Sequence, residues 1–232
     1  MADAPIPGAT PRPRLPLRLA HRGDWRVAPE NSLAAMTAAL AIPACDGLEF
    51  DVRGSADGVP VLLHDATLAR VQGLDAGVRD MTAEELGRHG VPALAEVLDV
   101  VGPEPFLDVE LKGDAVPAVV GVLEAARGAN LDRAVVSSFE ADTLAWLGDR
   151  RPSWPRWLNA MSLSGLWIAT ARELGCAGIS VAWSAIDSDG LGRAREAGLE
   201  VAAWTVRELA TYRVLAARGL VAICAEAEAL DG

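Results

Sequence analysis

The stretch Ala171-Arg172-Glu173-Leu174-Gly175, followed by the apolar run Gly178–Val181, sets the rhythm of the chain. The same grammar returns in Arg195-Glu196-Ala197-Gly198 before Glu200–Thr205, and in Ala216-Ala217-Arg218-Gly219 before Leu220–Cys224. Each segment ends a helical pattern on a glycine, the residue that most readily takes the left-handed conformation past a helix C-terminus. Each is followed at once by a short run of strand-forming residues. The three glycines, Gly175, Gly198 and Gly219, stand 23 and 21 residues apart, the length of a compact βα unit.

Working outward from these repeats, further apolar runs read as strands at Leu17–His21, Leu48–Val52, Phe106–Leu111, Ala134–Phe139 and Arg156–Asn159, making eight in all. Most are separated by segments of helical period, such as Val116, Val120, Leu123 and Arg127 before Gly128. Eight alternating units imply an α/β fold of the (β/α)8 TIM barrel type. The competing architecture is an open doubly wound sheet, but the first βα turn lacks a glycine-rich dinucleotide fingerprint.

One segment departs from the rhythm. Residues 53–92 form an insertion after the second strand, with a hairpin turning at Gly58, a polar stretch at Gln72–Gly77 and a short helix near Thr82–Arg88. Because it leaves from the C-terminal rim, it is expected over the mouth of the barrel. The domain reading is therefore a disordered proline-rich leader at 1–16 and one barrel at 17–232.

Composition bounds the rest. The chain has 232 residues, 51% of them hydrophobic, enough for a single large core. A net charge of −11 argues against nucleic acid or an anionic membrane surface as partner. The three cysteines, Cys45, Cys176 and Cys224, lack zinc-like spacing and read as reduced thiols of a cytoplasmic protein. No run reaches the roughly 18–20 apolar residues of a membrane span, so no stable membrane insertion is expected.

Two of the strand runs carry charges where a core should be apolar: Glu49-Phe50-Asp51 and Glu110-Leu111-Lys112. Residues i and i+2 on a strand share a face, so each run sets two charges side by side. Burying unpaired carboxylates costs several kcal/mol, so this placement calls for a compensating cation or a wet site. Glu49, Asp51 and Glu110 are hard oxygen ligands suited to one divalent ion, Mg²⁺ or Ca²⁺, with Mn²⁺ as a third option. The competing reading is a polar barrel network without metal. His21 and His64 are the candidate acid–base pair, since imidazole exchanges protons near neutrality. Arg22 and Lys112 suit phosphoryl oxygens, or salt bridges to the acidic residues. All of these fall at or near strand ends, where barrel enzymes place their chemistry. Trp25, Trp183 and Trp204 fall where they either face the mouth or pack in the core or rim, and His89 reads as an exposed loop histidine.

In this order the pieces His21-Arg22-Gly23, Pro29-Glu30-Asn31-Ser32, Glu49-Phe50-Asp51-Val52, Asp57-Gly58 with Val61 and His64-Asp65, Glu110-Leu111-Lys112, Ser137-Ser138-Phe139 and Trp204-Thr205-Val206 resemble the glycerophosphodiester phosphodiesterase family. The interval of 13 residues from Asp51 to His64 is part of the likeness. The resemblance implies a metal-dependent hydrolase that cleaves glycerophosphodiesters to glycerol 3-phosphate and an alcohol such as choline or ethanolamine. It implies His21 and His64 as catalytic, and Glu49, Asp51 and Glu110 as metal ligands. Arg22, Lys112, Glu30, Trp204 and Ser138 are then expected to bind substrate. The alternatives are a lysophospholipase D-like phosphodiesterase and an inactive barrel that only binds a phosphodiester. Three departures from the family pattern stand out: Arg70-Val71-Gln72 after the His-Asp pair, Arg207 in place of an asparagine, and Cys224-Ala225-Glu226-Ala227 at the final turn.

Overall fold

The computed structural model describes residues 15–113 and 116–232; residues 1–14, most of the expected leader, lie outside the described residues. Nine strands form the sheet: β1 (Leu17–His21), β2 (Gly47–Gly54), β3 (Pro60–Leu62), β4 (Phe106–Leu111), β5 (Ala134–Ser138), β6 (Arg156–Ala160), β7 (Gly178–Ala182), β8 (Glu200–Val206) and β9 (Ala222–Ala225). All neighbours except β2 and β3 are parallel, and the β1–β2 and β1–β9 pairings close the ring into an eight-strand barrel. The helices are α1 (Leu33–Leu40), α2 (Ala69–Gln72), α3 (Ala83–Arg88), α4 (Leu94–Val101), α5 (Val116–Arg127), α6 (Ala141–Arg150), α7 (Gly165–Glu173), α8 (Ser188–Glu196), α9 (Leu209–Ala216) and α10 (Glu228–Asp231). The last strand begins two residues later than the sequence suggests. Gly219 takes a φ of 78° and the buried Leu220 belongs to the turn that follows it.

Strand alternation explains how the core and the site coexist. Outward residues such as Leu48, Phe50, Leu107, Val109 and Leu111 pack under the helices in one large apolar cluster. Inward residues at one end of the barrel, including Leu19, Val135, Trp157, Ala202 and Ala222, form a second cluster that plugs its floor. Two residues farther along the same strands stand His21, Ser137, Asn159, Trp204 and Cys224, five of the residues that line the central cavity. The apolar floor thus forces the polar layer upward, to the C-terminal mouth.

The insertion carries its own small core of Val61, Leu63, Leu68, Val78, Leu86 and Val91. Its hairpin pairs Val52 with Leu62, and the Leu63 amide continues the ladder to the Asp51 carbonyl at 3.1 Å. Thr82 and Glu85 form a reciprocal capping box that starts α3 where the sequence places it. Two further pieces, α2 and a 3₁₀ turn at Val78–Asp80, order the stretch that reads as polar loop. The insertion reaches the mouth through His64, the only residue of the segment among those lining the cavity.

Candidate active site

Register brings the charged pairs together. His21 stands beside Glu49, Glu49 beside Asp108, Asp51 beside Glu110, and Glu110 beside Ser137. The result is a cavity of about 190 Å³ whose lining includes His21, Arg22, Glu49, His64, Glu110 and Lys112. The loop after β1 is held by Gly23, with φ at 83°; a Cβ there would meet the Ala35 carbonyl carbon at 2.6 Å. Only glycine lets α1 approach so closely, which explains the third residue of His21-Arg22-Gly23. Ser32 caps α1 through the Ala35 amide, and Asn31 donates from Nδ2 to Asp51 Oδ2 at 3.0 Å.

Ligand atoms of the buried Glu49, Asp51 and Glu110 all lie within 4.8 Å of one another. Two cations serve this cluster from the protein itself. Arg22 Nε is 2.9 Å from Asp51 Oδ2, and Lys112 Nζ is 3.1 Å from Asp51 and 2.5 Å from Glu110. Burial opposes ionisation of Asp51, yet Arg22, Lys112 and His64 outweigh it and hold its carboxyl below the usual range. Glu49 behaves in the opposite way. Burial and the neighbouring Asp51 push it well above the ordinary carboxylate range. Its Oε2 has no hydrogen-bond partner among the described residues, and His21 Nε2 lies 3.8 Å away. Burial and Asp51 also raise Glu110, against the pull of Lys112. An orphaned buried carboxylate oxygen in a three-carboxylate cluster is what a hard divalent cation would satisfy, so the residues present fit such an ion.

Both histidines are held by Nδ1. His21 Nδ1 is 2.5 Å from Glu226 Oε1, and His64 Nδ1 is 2.7 Å from Asp65 Oδ1. Each of those carboxylates is held in turn by an arginine: Arg207 Nε on Glu226 at 2.7 Å, and Arg70 Nε on Asp65 at 2.6 Å. Arg70 also grips Glu30 with two bonds, and Glu30 reaches back to Arg22 Nη1 at 3.0 Å. Burial lowers His64 from its ordinary pKa, ahead of the opposing effects of Asp51 and Asp65.

The other sequence-derived residues divide. Glu30 is not among the cavity-lining residues and pairs with Arg22, while Trp204 lines the cavity with its ring edge-on to Phe139 at 5.7 Å. Ser138 does not reach the cavity. It is fully buried, donates from Oγ to the Leu111 carbonyl at 2.8 Å and accepts from the Glu140 amide. The neighbour Ser137, one residue back and so on the opposite face, takes that place. Trp25 and Trp183 are absent from the cavity lining and stay exposed at 48% and 41%. His89 is exposed at the C-cap of α3.

Sequence reasoning passed over Asp108, Asn159 and Ser180, which line the same cavity as the charged residues. The signal for them is the same that reveals Glu49 and Glu110: polar residues at inward positions of apolar runs. Burial, with Glu110 and Asp51 adding to it against a hydrogen bond from Ser137, pushes Asp108 up to about 7. A raised pKa costs the fold stability as pH rises. Below the reference value of 3.8 both states hold the proton, and between 3.8 and about 7 only the native state does. Asp108→Asn does not titrate there. Relative to the parent, metal-free Asp108→Asn protein should gain little at pH 4 and up to about 4 kcal/mol by pH 8. Urea unfolding at stepped pH measures this, and a pH-independent difference would reject it.

A family model described as the glycerophosphoryl diester phosphodiesterase family matches residues 21–227. A glycerophosphodiester phosphodiesterase of Caldanaerobacter subterraneus subsp. tengcongensis is 33% identical over 141 residues, covering 53% of this chain and 58% of that protein. The chain thus spans little more than half the length of the first curated relatives it matches. A putative glycerophosphodiester phosphodiesterase of Bacillus subtilis is 28% identical across 87% of this chain and 90% of its own. Among solved structures, an Oleispira antarctica phosphodiesterase in complex with the product sn-glycerol-3-phosphate has a TM-score of 0.79 at 27% identity, covering 91% of this chain and 93% of that one. A glycerophosphodiester phosphodiesterase of Agrobacterium tumefaciens has a TM-score of 0.80 at 25% identity, covering 94% and 99%.

Proposed function

The chain belongs to the glycerophosphoryl diester phosphodiesterase family, and from that premise we propose that it hydrolyses glycerophosphodiesters to glycerol 3-phosphate and a small alcohol such as choline or ethanolamine. The observation that carries the reading is convergence. His21 and His64, from the barrel and from the insertion, line one cavity with Arg22, Lys112 and two of the three clustered carboxylates. The product complex of the Oleispira protein supports a glycerol phosphate substrate.

One divalent ion, Mg²⁺, Ca²⁺ or Mn²⁺, held by Glu49, Asp51 and Glu110 would supply Lewis-acid charge to a phosphoryl oxygen and orient the glycerol hydroxyls. The protein does the rest. Arg22 and Lys112 meet the non-bridging oxygens, where charge builds in the transition state. Glu30 orients Arg22. One imidazole Nε2 takes the proton of the nucleophile and the other gives a proton to the leaving alkoxide. Water as nucleophile gives glycerol 3-phosphate directly, whereas the glycerol 2-hydroxyl gives a cyclic phosphate that a water must then open, with the two rings exchanging roles. Asp65 and Arg70 aim His64 for that exchange. Among the described residues no helix is long and apolar enough to cross a membrane. Three free cysteines fit the reducing, cytoplasmic setting that belongs to this proposal.

A lysophospholipid substrate is the second reading. It is favoured by the exposed Phe139 and Met161, at 44% and 62%, just past the ends of β5 and β6. Against it, the insertion turns Val61, Leu63, Leu68, Val78, Leu86 and Val91 into its own core. A long acyl chain would need an apolar surface, since each buried CH₂ contributes about 0.8 kcal/mol. Glycerophosphocholine should therefore exceed lysophosphatidylcholine, below its micelle concentration, in kcat/KM. A tenfold or larger preference for the lysolipid, about 1.4 kcal/mol, would instead establish the second reading, and no turnover of either would sink both.

A further inference from the structure

Glu226 stands where the chain departs from its family pattern, lies outside the carboxylate cluster and does not line the cavity. We propose that it is a positioning residue for His21, fixing the imidazole as the Nδ1–H tautomer with Nε2 turned toward the reacting groups, and that Arg207 holds Glu226 in place for this task. The inference rests on the phosphodiesterase reading for the role of His21 and goes beyond it in naming what orients that ring.

A carboxylate can only accept, so the 2.5 Å contact with Glu226 Oε1 makes His21 Nδ1 the donor. In a neutral ring the lone pair then sits on Nε2, the nitrogen facing Glu49 at 3.8 Å. A ring without such a partner would divide its time among tautomers and flips, and only one combination presents a basic nitrogen to the mouth. Glu226 is itself immobilised. It is 6% exposed, its amide donates to the Val206 carbonyl at 2.8 Å, and its second oxygen accepts from Arg207 Nε at 2.7 Å. The Arg207 carbonyl accepts in turn from the Ala229 amide at 3.0 Å, which ties the end of β8 to α10. Arg207 is 64% exposed at its side chain, so its ion pair adds little to stability. What it contributes is direction, by occupying Oε2 so that Oε1 points at His21. The same order of groups, imidazole, carboxylate, arginine, recurs at His64, Asp65 and Arg70. Two unrelated loops built alike argue for a shared task.

Glu226→Gln and Glu226→Asp separate positioning from packing. With Gln, Arg207 Nε claims the amide oxygen and leaves the NH₂ to face Nδ1, which must then accept. The proton moves to Nε2 and the basic nitrogen faces away from the cavity. With Asp the acceptor is kept, though one methylene shorter. The chain has three histidines, so ¹⁵N shifts of labelled protein, taken without substrate at a pH where imidazole is neutral, report the tautomer of each. The parent should show His21 protonated on Nδ1, Glu226→Asp the same, and Glu226→Gln protonated on Nε2. With glycerophosphocholine, kcat should fall about 10²-fold in Glu226→Gln with KM nearly unchanged, and less in Glu226→Asp. A packing role would give the reverse order, since Gln matches the size of Glu. Equal or better turnover by Glu226→Gln than by Glu226→Asp, or an unchanged His21 tautomer in Glu226→Gln, overturns the proposal. A parent enzyme inactive on glycerophosphodiesters would sink the function while leaving the nitrogen shifts as the test of Glu226.

Discussion

His21→Ala and His64→Ala should each lower kcat by about 10²–10⁴-fold, the usual contribution of a general acid or base. The fold should survive both changes. Neither ring is a core element: their side chains are 15% and 35% exposed on the rim of the mouth. Removing either would strand a carboxylate, yet Glu226 keeps Arg207 and Asp65 keeps Arg70. The usual cost of an orphaned buried charge is thereby avoided, and the melting temperature should change little. Because the two rings act on one reaction, the double variant should lose less than the product of the singles. Steady-state rates on glycerophosphocholine with thermal melts check all three statements. An active His21→Ala enzyme would assign that ring a structural role and leave His64 to act alone.

Much of this architecture is legible in the chain because its physics is local. Gly175, Gly198 and Gly219 end helices by their own backbone freedom, and the runs after them need no partner to be recognised as strands. Glu49 and Glu110 stand out because a charge inside an apolar run contradicts its surroundings. Which face of a strand looks inward is another matter. Ser137 and Ser138 look alike in sequence, and only the pairing of Glu110 with Ser137 turns the first toward the cavity. Trp204 stands within β8, paired with Ala182, so its inward position is fixed by the ladder. Trp25 and Trp183 lie past the ends of β1 and β7, where no strand pairing sets the direction of the side chain. Glu226 is the hardest to foresee. Its partner His21 is 205 residues away, and the two meet only because β9 closes against β1. The departures Arg207 and Glu226 are visible singly in the sequence, and their pairing across neighbouring strand ends explains both.

Exhaustive chelation should abolish activity, with Mg²⁺, Mn²⁺ or Ca²⁺ restoring it, and the loss should exceed that of either histidine variant. Glu49, Asp51 and Glu110 gather three carboxylates within 4.8 Å, while the protein supplies Arg22 and Lys112. Asp51 takes both of those cations, and Glu49 is left with its charge suppressed by burial and by Asp51. A raised carboxyl must release its proton before it can ligate, so cation affinity should rise with pH through the range where Glu49 and Glu110 titrate. Stability should move with it. In the metal-free protein Glu49 and Glu110 take stability away as pH rises above their ordinary value of 4.5, because the folded state keeps protons on them that the unfolded state has released. A bound cation reverses that trend and, at a hundredfold excess over Kd, adds about 2.7 kcal/mol. Glu49→Gln separates the two effects. The amide carries no charge to suppress, so the metal-free variant should be more stable than the parent at pH 8, yet its melting temperature should respond far less to added cation. Calorimetry in buffers of different ionisation enthalpy would count the protons released on binding. Full turnover after chelation, together with a melting temperature indifferent to all three cations, would leave the cluster as a polar network organised by Arg22 and Lys112 alone.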